Sequence, residues 1–187
     1  MHKLKSPVLW ILILTCFFFS TDQRKLVKTK VSKDITVSLP PDWKAMDQLD
    51  FTERYPSVRA PIAAYTNIHR SVDFAVNISA TQWPDANLEL AQRFFKSSIM
   101  NMFDRAEFEN EGVKEVNGKK YVYFTFISRV QGNRSNESLR DPVVRYNHLQ
   151  YLVEKDRTLV FSFSSPFRER DEWLETADQI MNSIRIK

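Results

Sequence analysis

The side chains able to do chemistry are few and scattered. Three histidines occur, His2, His69 and His148. No two stand in the His-x-x-x-His or His-Glu-x-x-His spacing that puts two imidazoles on one helix face for a metal. His2 falls in the N-terminal segment, His69 in a predicted turn and His148 on a predicted strand. The last two are the candidate bases of the body, and the plainer reading of each is a surface or structural imidazole. Serines are common, but no Gly-x-Ser-x-Gly elbow is present, so a Ser-His-acid triad needs a tertiary coincidence. Glu107, Glu109 and Glu111 alternate, which in a regular strand places three carboxylates on one face. Two carboxyls about 5–9 Å apart can do glycoside chemistry; the same alternation marks an edge strand protected by charge. With three glycines in the whole chain, phosphate-cradling and dinucleotide-binding loops are excluded. These patterns lead us to expect no catalytic residue, no metal site and no cofactor.

The candidates for binding are arginines. Arg129, Arg134, Arg140 and Arg145 lie in and around a polar stretch from Gln131 to Asp141, with Glu137 and Asp141 between them. Guanidinium forks suit carboxylate or phosphate groups on a partner, and long loops in compact domains tend to carry function. A plain solvated loop is the alternative. Trp83, next to Pro84, is a second candidate, either as an aromatic anchor for a partner or as a core or lid residue. Asn77, Asn133 and Asn136 stand in Asn-x-Ser sequons that matter only in a glycosylating secretory path.

Composition narrows the class. The chain has 187 residues, 43% hydrophobic and 13% aromatic, with fourteen Phe, which is enough apolar material for a folded core. The formal charge is +4, and Lys3 and Lys5 contribute to it from the N-terminal segment. The body is thus close to neutral, which argues against nucleic acid as a partner. Cys16 is the single cysteine. A body without cysteine can build no disulfide, Cys-ligated zinc site or thiol nucleophile.

Lys3 and Lys5 precede an apolar run from Val8 to Phe19. This is the layout of a secretory signal, short for a bilayer span of roughly 20 residues. Cys16 follows Ile13, Leu14 and Thr15, as in a bacterial lipoprotein box where the cysteine is lipidated. Thr15 in place of a smaller residue, and Phe17 to Phe19 after the cysteine, depart from that pattern. Cleavage, lipidation and retention as an anchor all stay open. The expected organisation is a signal-like or anchor segment over 1–20, a polar tether over 21–34 and one domain over 35–187. The expected location is extracytoplasmic, periplasmic or secreted, with residues 8–19 as the anchor if they are retained.

The elements that must position any site follow from periodicity. Ile35, Val37 and Leu39 alternate with Thr36 and Ser38, a half-buried strand ended by Pro40-Pro41. Trp43 to Met46 reads as a short strand and Leu49 to Tyr55 as a helical turn. Ile62–Ile68 and Ser71–Ala80 read as a hairpin, with Val72, Phe74, Val76 and Ile78 on one face. Asn87 caps a helix whose apolar stripe is Leu88, Ala91, Phe95, Ile99 and Met102. Asn117-Gly118 between two strand patterns predicts a type I′ hairpin turn. Val143–Val153 and Thr158–Ser164 predict another hairpin. A last helix follows Pro166, with Trp173, Ala177, Ile180 and Ile184 inward. The expected fold class is α+β, an antiparallel sheet of about six to seven strands sandwiched by two main helices.

The layout resembles the PsbP/Mog-type α/β/α superfamily. The likeness rests on the opening Ile35-Thr-Val-Ser-Leu-Pro-Pro-Asp-Trp43, the Lys119-Lys120-Tyr121 strand after the Asn-Gly turn, and Leu159-Val-Phe-Ser-Phe-Ser-Ser-Pro166 leading to a helix that finishes in Met181-Asn-Ser-Ile184. It covers about residues 35–187 and carries fold-forming patterns, with no ligand motif. It implies a non-enzymatic module with a protein partner at the membrane. A small-molecule carrier, with an apolar pocket between sheet and helix, is the alternative function, and a hydrolase the least favoured.

Overall fold

The structure is a computed structural model that describes residues 24–54, 60–81, 83, 87–131 and 141–187. The apolar N-terminal run with Cys16, the candidates Arg134 and Arg140, and the sequons at Asn133 and Asn136 lie outside the described residues.

The elements are β1 (Val27–Lys30), β2 (Ile35–Leu39), β3 (Lys44–Ala45), α1 (Gln48–Arg54), β4 (Ala63–Thr66), β5 (Asp73–Ile78), α2 (Leu88–Met102), β6 (Arg105–Val116), β7 (Lys119–Val130), β8 (Val143–Val153), β9 (Thr158–Pro166), α3 (Arg170–Asn182) and β10 (Arg185–Ile186). Seven strands form one antiparallel sheet in the order β3-β4-β5-β9-β8-β7-β6. The β6–β7 turn has φ of 48° at Asn117 and 81° at Gly118, the left-handed values that Asn-Gly adopts readily.

One helix covers each face. Asn87 Oδ1 accepts from Leu90 N at 3.0 Å and starts α2. Its Ala91, Phe95 and Ile99 pack on Val122, Phe124, Phe126, Leu149 and Tyr151. Phe95 stacks on Tyr151 with ring centroids 4.2 Å apart. Met102, expected to close the stripe, is exposed because α2 ends there and Phe103 turns onto Phe126 instead. On the opposite face, Trp173, Ala177, Ile180 and Met181 of α3 pack with Tyr121, Tyr146, Phe161 and Phe163.

Two expectations are corrected. The Ile35–Leu39 strand alternates as read, but it leaves the main sheet and pairs with β1 and β10 in a small three-stranded sheet. The packed body also reaches back into the polar stretch 21–34. Val27–Lys30 is a strand, and Leu26 and Val31 touch the α3-side core. The mostly exposed Val-Lys-Thr-Lys of β1 is held by backbone pairing, which leaves no apolar alternation to read.

The glutamate row is the third correction. Phe108 pairs with Phe126 and Asn110 with Thr125, so Glu109 is an extra residue in a β-bulge. A bulge shifts the alternation by one. Glu107 therefore stands opposite Ile127, on the α3 side, and Glu111 opposite Phe124, on the α2 side. Among the described residues no helix is long and apolar enough to cross a membrane.

Candidate functional site

One end of the main sheet is made by the ends of β4, β7 and β9 and the starts of β5, β6 and β8. Asn67 shapes the β4–β5 turn there. Its carbonyl accepts from Arg70 N at 2.9 Å, and its Oδ1 accepts from Ser71 N at 2.9 Å and Val72 N at 3.2 Å. This Asx-type closure leaves Ile68 66% exposed at the tip. Val130, Val143 and Phe167 are exposed along the same end. Around them stand Arg24, Arg70, Arg129, Arg145, Arg168 and Arg170.

Most of these arginines meet an acid. Arg24 pairs with Glu172 and Arg70 with Asp50. Arg168 Nε is 3.5 Å from Glu169, and Arg170 bonds Glu109 at 2.9 Å. The Arg24 guanidinium lies 3.8 Å over the Trp173 ring, a cation–π contact. Between them opens a cavity of about 560 Å³ lined in part by Arg24, Asn67, His69, Ser71, Arg168 and Trp173.

Arg145 and Arg129 both belong to strands, and they diverge. Arg145 lies on the α2 side of β8. Its Nε donates to Ser164 Oγ at 2.7 Å, and one terminal nitrogen donates to Ser71 O at 2.9 Å and Ser164 O at 3.2 Å. That nitrogen also lies 3.7 Å from the largely buried Asp73 carboxylate. Ser164 Oγ in turn donates to Asn147 Oδ1, and Asn147 Nδ2 to Ser128 Oγ. This network ties the β4–β5 turn to β8 and β9. Arg129 is opposite Val144, one residue along from Ser128↔Arg145, so its side chain leaves the sheet on the other face. It is exposed and carries no ion pair among the described residues. Trp83 is half-buried against α2, 5.4 Å from Phe94 and 6.3 Å from Phe95 between ring centroids, in the aromatic cluster of the α2 face.

The two candidate bases separate as well. His69 sits at the rim of the cavity. His148 is sealed between sheet and α3 with its side chain 1% exposed. Its Nδ1 lies 3.3 Å from Asp178 Oδ1, off the line of a good hydrogen bond, and its Nε2 faces the Gln150 amide at 3.5 Å. The satisfied orientation of that amide has its oxygen accepting from Lys114 Nζ at 2.6 Å and its nitrogen donating to Met181 O at 3.3 Å. Burial pushes the His148 imidazole below its ordinary range, against the pull of Asp178. Burial also lowers Lys114. No serine or threonine hydroxyl is hydrogen-bonded to His148 among the described residues, and no three metal-ligating side chains converge there. The cluster joins the sheet to the C-terminal turn of α3, where Asn117 Nδ2 also donates to Asn182 O and Ile184 O.

The surface features of this end, Ile68, Phe167, Arg24 and Arg168, had no signal in spacing, because an exposed apolar residue in a turn looks like any other. The buried polar network did have one. Asp73 opens a mostly apolar strand and is itself buried, and Asn147, His148 and Gln150 put polar groups on both faces of β8.

No family model and no curated protein sequence matches the chain; its likeness is to solved structures. The solution structure of cyanobacterial PsbP (CyanoP) from Synechocystis superposes with a TM-score of 0.60 at 14% identity, covering 90% of this chain and 96% of that one. The Ran-binding protein Mog1p of Saccharomyces cerevisiae gives 0.55 at 13% identity, covering 88% and 96%. LpqN of Mycobacterium tuberculosis, involved in cell envelope biogenesis, gives 0.51 at 10% identity, covering 89% and 93%. At these identities the likeness is one of fold: the chain has the α/β/α fold of the PsbP and Mog1p structures.

Proposed function

We propose that the domain is a non-enzymatic binding or assembly module, working outside the cytoplasm, that takes a protein partner on the arginine-bearing end of its sheet. The observation that carries this reading is that this one end of the sheet exposes Ile68, Val130, Val143 and Phe167 together with Arg129 and Arg168, and that Ile68, Arg24 and Arg168 line a cavity there. Apolar side chains mixed with arginine are the composition of interface centres. Arg134 and Arg140 join this surface in the proposal, since Val130 and Val143 flank their segment. Two of the structural relatives are named for Ran binding and for cell envelope biogenesis, which fits a binding role. Among the described residues His148 has no hydroxyl partner, which weighs against the hydrolase reading.

The same end holds Arg24, the first described residue. If residues 8–19 stay in a membrane, the links from Phe19 to Arg24 span at most about 17 Å. The arginine end then faces the bilayer, and its partner is a membrane protein or an envelope component beside one. The test is cross-linking of the full-length chain in the source cell's envelope fraction, wild type against an Ile68→Asp/Phe167→Asp variant. Both side chains are well exposed, so the variant keeps its fold. A stoichiometric partner lost only in the variant supports the reading. The same partner retained by the variant moves the interface elsewhere, and no partner with the wild type overturns the assembly role.

A further inference from the structure

The other end of the sheet carries lysines. Lys119 and Lys120 open β7 directly after the Asn117-Gly118 turn, and Lys155 stands in the turn between β8 and β9. Val122 pairs with Tyr151, and continuing that register brings Lys120 beside Val153 and Lys119 beside Glu154. The three lysines line, together with Leu88 and Val153, a cavity of about 580 Å³. All three lysines are exposed, and none enters an ion pair among the described residues.

The acids nearby do not neutralise this rim. Glu154 also lines the cavity, but its carboxylate is taken by Arg157 Nε at 2.8 Å. Arg157 reaches Asp34 at 2.9 Å with its other arm. Glu115, opposite Lys120 across the hairpin, and Asp156, next to Lys155 in the turn, each offset part of one lysine's charge. Like charges converging without a counterion repel one another, and a bound anion relieves that repulsion. Lysine is a mobile point charge suited to phosphate or carboxylate oxygens. The floor asks for something different: Leu88 and Val153 are half-buried on the α2 side, and an apolar group laid on them removes further apolar surface from water. The volume lies in the range of small-ligand clefts, about 300–1,000 Å³.

We infer that this lysine-rimmed cup binds an amphiphilic anion, a phosphate or carboxylate head on an apolar body. Its source is either a soluble amphiphile or a lipid, and the two share this head-and-tail chemistry. The site is independent of the partner surface at the opposite end of the sheet.

The experiment is an amide NMR titration of the full chain with octyl phosphate, octanoate and inorganic phosphate, repeated on Lys120→Glu/Lys155→Glu and on Lys120→Gln/Lys155→Gln. The expected result is saturable shifts at the amides of Leu88, Gly118, Lys119, Lys120, Val153 and Lys155 with the two amphiphiles. Inorganic phosphate should bind at least about tenfold more weakly, and the charge reversal should weaken octyl phosphate at least about tenfold. The glutamine pair should fall between, and unshifted resonances elsewhere report that each variant is folded. Co-sedimentation with phosphatidylglycerol vesicles, lost in the reversal and absent with phosphatidylcholine, assigns the lipid source. Binding of octyl phosphate without sedimentation assigns the soluble one. Shifts that do not saturate, that map elsewhere or that survive charge reversal overturn the site. Equal binding of inorganic phosphate overturns the role of the apolar floor.

Discussion

Replacing Arg145 by Met separates two roles for the one arginine of the sequence-predicted cluster that is built into the network between β5, β8 and β9. The apolar stem is kept and the charge removed. Three hydrogen bonds go with it, to Ser164 Oγ, Ser71 O and Ser164 O. The Asp73 carboxylate, 12% exposed, loses a cation at 3.7 Å. Breaking a fully buried charge pair from one side costs about 3–5 kcal/mol. The Arg145 side chain is 26% exposed, so water recovers part of that, and the expected loss is about 2–4 kcal/mol. Arg145→Met/Asp73→Asn should be less destabilised than the sum of the single changes, by about 1 kcal/mol or more, because the second change removes the stranded charge. Urea unfolding followed by tryptophan fluorescence measures all three differences. A loss under about 0.5 kcal/mol for Arg145→Met, the range of ordinary surface changes, would refute the structural role and return the fork to the partner surface.

Phe95→Ala should cost about 3–5 kcal/mol, since it empties the stack on Tyr151, whereas Phe94→Ala, on the partly exposed side of α2, should cost well under half of that in the same urea assay. Gly118→Ala should cost about 1–2 kcal/mol purely from the left-handed backbone, because a Cβ there meets nothing within 4 Å; a neutral result would mean that the turn relaxes. Stability should fall as pH drops through about 6.5, where the unfolded His148 takes up a proton that the buried, depressed imidazole refuses. Asp178, held below its usual range by the His148 contact, adds a second loss at lower pH, below about 4. His148→Asn should flatten the slope between pH 7.5 and 5.5, and an unchanged slope would assign it to other groups.

Much of the architecture was legible locally. Period-two alternation marked β2 and β5, the stripes Ala91-Phe95-Ile99 and Trp173-Ala177-Ile180 marked α2 and α3, and Asn117-Gly118 marked a turn needing two positive φ angles. These are properties of one segment against one apolar surface, and neighbouring residues are enough to encode them. What the chain alone did not reveal depends on which distant segment supplies the partner. β1 and β10 are short and have no apolar alternation, and they exist only because β2 offers two unpaired edges. The Glu109 bulge is a count of residues between two registers, so the glutamates change face with no change in their own spacing. Arg145 and Arg129 look alike along the chain, but strand parity sends one to Asp73 and Ser164 and the other to the opposite face. His148 meets Asp178 from another element and becomes a buried tie. The arginine and lysine ends arise the same way, because antiparallel pairing gathers turns far apart in sequence, and with them their charges, at the same end of the sheet.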